Sequence, residues 1–304
     1  MTERMKILIG YDGSECAEAA IDDLKRAGLP RDAQATVVSV AEIWLPTPRS
    51  FGGVETHFKE ESPDPFDKAD ALARQAGERL RSFFHNWVVK TEAIAGSPAR
   101  VLIEKADEWK PDLIVVGSHG RSGLERLILG SVSQKVLSEA DCSVRIARGR
   151  KVESQKPVRI VIGVDGSPGS DSAVEAVARR WWPAGSEVLA VTTDFVTPTV
   201  TSARMVGPLI QWIEEERERM HLAIARAKEK LVHCGLSFSS LVKAGDPKEF
   251  LRAEAEDWKA DCIFVGAKSQ SRIDRFWLGS VSAAVASRAH CSVEAVRAKE
   301  MRRG

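Results

Sequence analysis

The sequence predicts an α/β protein of two similar domains, each a parallel sheet with helices on both faces. Three observations carry this expectation. The chain repeats itself: Lys6-Ile7-Leu8-Ile9-Gly10-Tyr11-Asp12-Gly13-Ser14 returns as Arg159-Ile160-Val161-Ile162-Gly163-Val164-Asp165-Gly166-Ser167, six of nine residues identical at an offset of 153. Residues 107–147 return as 256–296 at an offset of 149, with 19 identities in 41, among them Trp109/Trp258, Gly117/Gly266, Gly130/Gly279, Ser131/Ser280 and Cys142/Cys291. A period this long is a duplicated domain, not a solenoid unit. Within each half, short apolar runs alternate with segments of helical spacing, the order of a parallel sheet wrapped by helices. Finally, Leu113-Ile114-Val115-Val116 is continuously apolar, as a strand buried on both faces must be. At 304 residues the chain has the length of about two domains. We place them at 1–150 and 157–304, joined by a polar linker over 149–157 that closes on Pro157.

The elements follow in order. Ile7-Leu8-Ile9 forms the first strand. Residues 14–27 have helical spacing in Ala17, Ala20, Ile21 and Leu24, and stop near Gly28 and Pro30. Residues 35–40 are rich in β-branched residues and predict the second strand. A long helix is expected over 67–88, from the spacing of Ala71, Leu72, Ala76, Leu80 and Phe84. A strand over 91–95, a helix over 98–109, the strand at 113–116 and a helix after Gly130 follow. Val144-Arg145-Ile146-Ala147 alternates, which predicts an edge strand. The second half repeats the order. Residues 45–66 and 196–208 are long aperiodic connections that follow the second strand of each half; connections of that length are often lids, and we expect them to gate a site.

Composition excludes several classes. Forty-four basic against 43 acidic residues give a net charge of +1, which argues against a polyanion binder working by bulk electrostatics and so against nucleic acid. No run approaches the ~18–20 apolar residues that span a bilayer. The start leads into only three apolar residues before Gly10, too few for a signal-peptide core. Five cysteines with no C-x-x-C pair predict neither a disulfide framework nor a zinc site, and the expectation is a cytoplasmic protein with reduced thiols. The six histidines show no H-x-x-x-H or H-E-x-x-H spacing. His119 reads as a solvent-facing loop residue, the cysteines as small buried hydrophobes, and Trp181-Trp182 and Trp109/Trp258 as packing residues.

One segment carries site chemistry. The strand at 113–116 runs into Gly117-Ser118-His119-Gly120, and nine residues later Gly130-Ser131-Val132-Ser133 opens a helix, a G-x2-G-x9-G-S spacing. Glycines let amides approach an anion, and a helix start adds unpaired N–H groups and a positive dipole end. The alternative needs no ligand: Ser131 and Gln134 read as an S-x-x-Q capping box. Asp12, just past the first strand, can meet a ribose hydroxyl or an adenine amine, or cap the helix that begins near Ser14.

At these residues the chain resembles the universal stress protein family, over both halves. The resemblance rests on Asp12-Gly13-Ser14, the Gly96-Ser97-Pro98 turn, Val115-Val116-Gly117-Ser118-His119-Gly120 with Leu129-Gly130-Ser131-Val132-Ser133, and Asp141-Cys142-Ser143-Val144. It implies two tandem five-stranded parallel-sheet domains, Rossmann-like and akin to adenine nucleotide α-hydrolases, forming a pseudo-dimer. It also implies an ATP-binding stress-response regulator with at most slow hydrolysis and no catalytic residue. Asp12 would contact the ribose and the backbone of Val40 the adenine. Val116 and Gly117 would line the ribose and phosphate wall. Gly120, Gly130, Ser131, Val132 and Ser133 would hold the phosphates of ATP or ADP. Magnesium or manganese can accompany the phosphates, but the sequence offers no carboxylate cluster dedicated to a metal.

The second half departs from this pattern, with Ser269 in place of the second glycine, while Asp165 and Val191 stand as the counterparts of Asp12 and Val40. The resemblance to tandem members further implies that the last strands of the two halves pair, through Val144–Ile146 and Val293–Ala295, and the sequence is compatible with a further homodimer. The alternative function is a scaffold that recruits proteins without a nucleotide. An adenylating ligase is disfavoured, because neither an S-G-G-x-D-S loop nor an H-I-G-H signature occurs.

Overall fold

The computed structural model describes residues 4–42, 64–119, 129–148, 156–194, 206–267 and 278–298. The first half runs β1 (Met5–Gly10), α1 (Glu15–Asp23), β2 (Ala33–Ala41), α2 (Pro65–Phe83), β3 (Val88–Ala95), α3 (Pro98–Trp109), β4 (Leu113–Gly117), α4 (Ser131–Glu139) and β5 (Ser143–Ala147). The second half repeats it as β6 (Arg159–Gly163), α5 (Pro168–Ala178), β7 (Glu187–Asp194), α6 (Val206–His233), β8 (Ser237–Ala244), α7 (Pro247–Asp257), β9 (Cys262–Gly266), α8 (Ser280–Arg288) and β10 (Ser292–Val296). The linker at 149–155 and most of both long connections lie outside the described residues.

Local chemistry sets the element ends. Ser14 caps α1 by accepting from the Ala17 amide at 3.2 Å, and Ser167 caps α5 in the same way through Ser170. The helix expected over 14–27 is α-helical only to Asp23; Leu24–Arg26 tighten into a 3-10 turn before Gly28, whose φ of +65° ends the segment. The helix expected to reach residue 88 stops at Phe83. Phe84 and Trp87 stack with ring centroids 3.9 Å apart, and Trp87 Nε1 donates to the Pro30 carbonyl, so these aromatics serve the turn and not the helix. All five residues of β4 are buried, as its apolar run predicts.

The ten strands form one sheet in the order β3-β2-β1-β4-β5-β10-β9-β6-β7-β8. Every pairing is parallel except β5 with β10, which is antiparallel and joins the halves through Val293↔Ile146, Glu294↔Arg145 and Ala295↔Val144. The expected pairing of the last strands is present, but β5 is an internal strand and not an edge. Its alternation has another cause: the two faces of the seam differ. On one face Val144, Ile146, Val293 and Ala295 belong to a single core that also takes in Leu102 and Leu137 of α3 and α4 and Leu251 and Val285 of α7 and α8. On the other face Arg145 and Glu294 are each about 1% exposed, between the separate cores under α1/α2 and α5/α6. Arg145 holds Asp23 at 2.6 Å and Glu294 at 3.4 Å, and Glu294 also pairs with Arg180. Burial works against the Arg145 charge, but Asp23 and Glu294 more than offset it, so its pKa is raised.

The seam is tied reciprocally at its rims. Arg297 donates its amide to Ser143 Oγ and its guanidinium to the Leu137 and Ser138 carbonyls, at the end of α4. Arg148 donates its amide to Ser292 Oγ and its guanidinium to the Ala286 and Ser287 carbonyls, at the end of α8. Each half thus covers the exposed carbonyls of the other's last helix.

Candidate functional site: the crevice between β1 and β4

The chain order reverses between β1 and β4, and open parallel sheets hold ligands outside the carboxyl ends of strands at such a point. The structure brings Asp12, Val40, Val116, Gly117 and the start of α4 to this end of the sheet. Gly120 and the loop that follows it, 121–128, lie outside the described residues.

Asp12 is half-buried, and its Oδ1 accepts from the Ser14 amide at 3.0 Å. It does not cap α1; Ser14 does. Asp12 shapes the turn, Gly13 takes φ +76° beneath Leu72 of α2, and Asp165 and Ser167 repeat the geometry at 2.9 Å.

Val40 stands where the sheet opens. The Ala41 carbonyl accepts from Gly96 on the β3 side, and the Val38 carbonyl accepts from Tyr11 on the β1 side. Peptide groups alternate sides along a strand, so those of Val40 face the β1 side, beyond the last residue of β1. The register also corrects one correspondence between the halves. Gly10 pairs with Val38 and Gly163 with Val191, so Val191 is the counterpart of Val38, and Thr193 is the counterpart of Val40.

Val116 is buried, and Gly117 ends β4 hard against α1. A Cβ at Gly117 would lie 2.8 Å from the backbone carbon and oxygen of Cys16, and one at Gly266 would strike the backbone of Gly169. Helix packing therefore accounts for both glycines before any ligand is considered.

Helix α4 starts one residue earlier than a capping box at Ser131 requires. Gly130 is its N-cap, with φ −63° and ψ 152°, and gives no side-chain hydrogen bond; Ser131 is the first helical residue and is exposed. The Gln134 amide is the first to bond back into the helix, to the Gly130 carbonyl. The amides of Ser131, Val132 and Ser133 precede it and have no intrahelical acceptor. The Ser133 hydroxyl is committed elsewhere: it is buried and donates to the Gly117 carbonyl at 2.6 Å, as Ser282 does to Gly266 at 2.5 Å. Its proton is therefore not available to a phosphate, and Ser133 can serve there only through its amide. Ser118 escaped the sequence reading, because its contribution is a backbone carbonyl that accepts from the Gly130 amide at 2.8 Å and pins the end of β4 to the start of α4.

His119 is half-buried and not solvent-facing. Its Nδ1 lies 3.1 Å from Ser118 Oγ and its Nε2 is sequestered from solvent. Burial lowers its pKa, assisted by nearby Arg148, so the ring is neutral at pH 7. Cys262 and Cys291 are buried as expected, burial pushes the half-buried Cys142 thiol up to about 12, and Cys234 is exposed. Lys6 lies over the Trp109 ring and Arg159 over Trp258, so the paired tryptophans pack alike in both halves. Among the described residues no group of three or more His, Cys, Asp or Glu could hold a metal ion, and no helix is long and apolar enough to cross a membrane.

A sequence model of the universal stress protein family matches residues 3–148 and again 158–297. A universal stress protein of Mycolicibacterium smegmatis is 28% identical over 298 residues, covering 96% of each chain. One from Methanocaldococcus jannaschii is 31% identical over 152 residues, 49% of this chain and 84% of its own length. Among solved structures, a universal stress protein from Archaeoglobus fulgidus superimposes with a TM-score of 0.61 at 19% identity, covering 96% of both chains, a likeness of fold.

Proposed function

The chain belongs to the universal stress protein family in tandem form, and from that premise we propose that its first half binds an adenine nucleotide, ATP or ADP, in the crevice between β1 and β4. The observation that carries this reading is the uncapped start of α4. Three amides, the positive end of a helix dipole and the exposed Ser131 hydroxyl lie beyond the end of β4, the strand beside β1, whose end leads into Asp12. A triphosphate suits the helix start, a ribose hydroxyl suits the Asp12 carboxylate, and an adenine edge suits the outward peptide groups of Val40. Magnesium or manganese would enter with the phosphates. The nucleotide acts as a ligand that biases conformation or partner choice, in the cytoplasm. In this reading the nucleotide is a ligand and its hydrolysis is slow at most.

The second half keeps the turn of Asp165 and the uncapped start of α8, but has Ser269 where the first half has Gly120. A side chain there costs close approach, so we expect one nucleotide per chain. The test is to purify the protein without added ligand, denature it, identify released small molecules by mass spectrometry, and titrate the emptied protein with ATP in a calorimeter. One ATP or ADP per chain supports the reading. Two per chain would make the second half a working site. No nucleotide and no heat from a folded sample with magnesium would overturn it in favour of a protein-recruiting scaffold.

A further inference from the structure

The halves meet about a pseudo-two-fold axis between β5 and β10, and residues on such an axis meet their own equivalents. The repeat defines equivalence: an offset of 149 carries β4 and β5 onto β9 and β10, and an offset of 153 carries β1 and the start of β2 onto β6 and the start of β7, where Lys6↔Gln34 matches Arg159↔Glu187. Arg145 and Glu294 are equivalent, and they face each other in the strand register. Ala27 and Arg180 are equivalent, and Arg180 Nη1 donates to the Ala27 carbonyl at 2.8 Å. Gly28 and Trp181 are equivalent, and the Trp181 amide donates to the Gly28 carbonyl at 3.0 Å. All three on-axis pairs are unlike. Off the axis, Arg148 and Arg297 are an identical pair making equivalent contacts through Ser292 and Ser143, although Ser292 also donates to Asp23, whose counterpart in the second half is Ala176.

We infer that the three unlike pairs choose the partner of each half: the seam takes the chain's own complementary half and refuses a second copy of either. The Arg148 and Arg297 clamps would form in any pairing, so they cannot discriminate. The axis can. Two second halves would put Trp181 where Gly28 now sits, and a Cβ there lies 2.8 Å from the Trp182 ring. They would also set Glu294 against Glu294. Two first halves would set Arg145 against Arg145 at a site about 1% exposed, and Leu29 would stand where the Trp182 ring now lies against Gly28. Asp23 travels with Arg145 and Arg180 with Glu294, so each half is internally neutralised; the discriminating contact between them is Arg145 with Glu294. Unlike pairs on the axis impose repulsion or overlap on every wrong pairing, the form specificity takes when attraction alone cannot supply it.

The test uses the whole chain. A protease site is inserted between residues 150 and 156, the folded protein is nicked, and both halves are denatured and refolded together. Native mass spectrometry should find first-with-second pairs only. Without selection, same-half pairs would make up about half of the complexes, and their appearance at that share overturns the inference. In the intact chain, Glu294→Arg sets a guanidinium against Arg145, removes the carboxylate partner of Arg180, and should lower the folded-to-unfolded ratio by roughly 100-fold. Glu294→Gln, which keeps the shape without the charge, should cost at least ~10-fold less than that. Equal losses in the two variants would assign the position a packing role only and overturn the inference. Should Glu294→Arg fail to fold, the nicked parent protein still decides.

Discussion

Gly117→Val is expected to lower the melting temperature of the whole chain by about five degrees or more, with or without nucleotide. The Cβ of any residue there would sit 2.8 Å from the Cys16 backbone carbon and oxygen, and backbone cannot swing aside as a flexible side chain can. Helix α1 would have to lift from β4, uncovering Ala17, Ala20 and Ile21, all buried beneath it. Overpacking of this kind costs about 1–3 kcal/mol when neighbours yield, and more when they are main chain. At about 2–4 °C per kcal/mol for a chain of this size, the shift is easily read in a thermal melt. Gly266→Val should do the same, because Gly169 lies as close to it. A melt within 2–3 °C of the parent would mean that these glycines answer to the ligand and not to the helices.

Gly130→Asp is expected to separate binding from stability. The backbone at Gly130 is ordinary extended chain, open to any residue, and aspartate is a good N-cap. Its carboxylate would accept from the first amides of α4 as Ser14 Oγ does in α1, and the helix dipole favours a negative charge there. Stability should hold or rise by a few tenths of a kcal/mol. A nucleotide would meet a carboxylate in place of those amides, so ATP affinity should fall by about two orders of magnitude. A calorimetric titration beside a thermal melt reads both. ATP affinity within threefold of the parent, in a protein carrying this aspartate, would place the phosphates somewhere other than the start of α4. The matching Gly279→Asp should leave the ATP stoichiometry unchanged, since the second half is expected to be empty.

The contrast between these two glycines explains how far the sequence could be read. Spacing marked both, and a glycine motif looks the same whether the missing Cβ makes room for a phosphate or for a helix. Gly117 stands at a helix crossing 100 residues away in sequence, which no local pattern reveals. Strands were legible wherever burial on both faces or the repeat made them so, while the pairing of β5 with β10 was implied by the family resemblance and is present in the sheet. Helix ends were less legible. The spacing of Phe84 continues that of α2, but its stacking with Trp87 draws it out of the helix. Ser131 satisfies the letter of a capping box, yet the cap falls on Gly130. The slip at Val191 arose because valine occupies alternate positions of β2, and only the register against β1 tells Val38 from Val40.

Helix α4 is held from two directions. Its first turn opens on the proposed crevice, and its last carbonyls are gripped by Arg297 of the opposite half. A rigid rod pulled at one end does work at the other. Whatever free energy a nucleotide spends in drawing in the start of α4 is felt at a clamp belonging to the second half, and Arg148 offers the mirror route through α8. Fusion in one chain would thus supply more than proximity: under the proposed reading, occupancy of the first crevice would be felt in the second half at the Arg297 clamp. It should register as altered amide exchange in β5 and β10 when ATP is added, and unaltered exchange there would mean that the halves share a sheet without conversing across it.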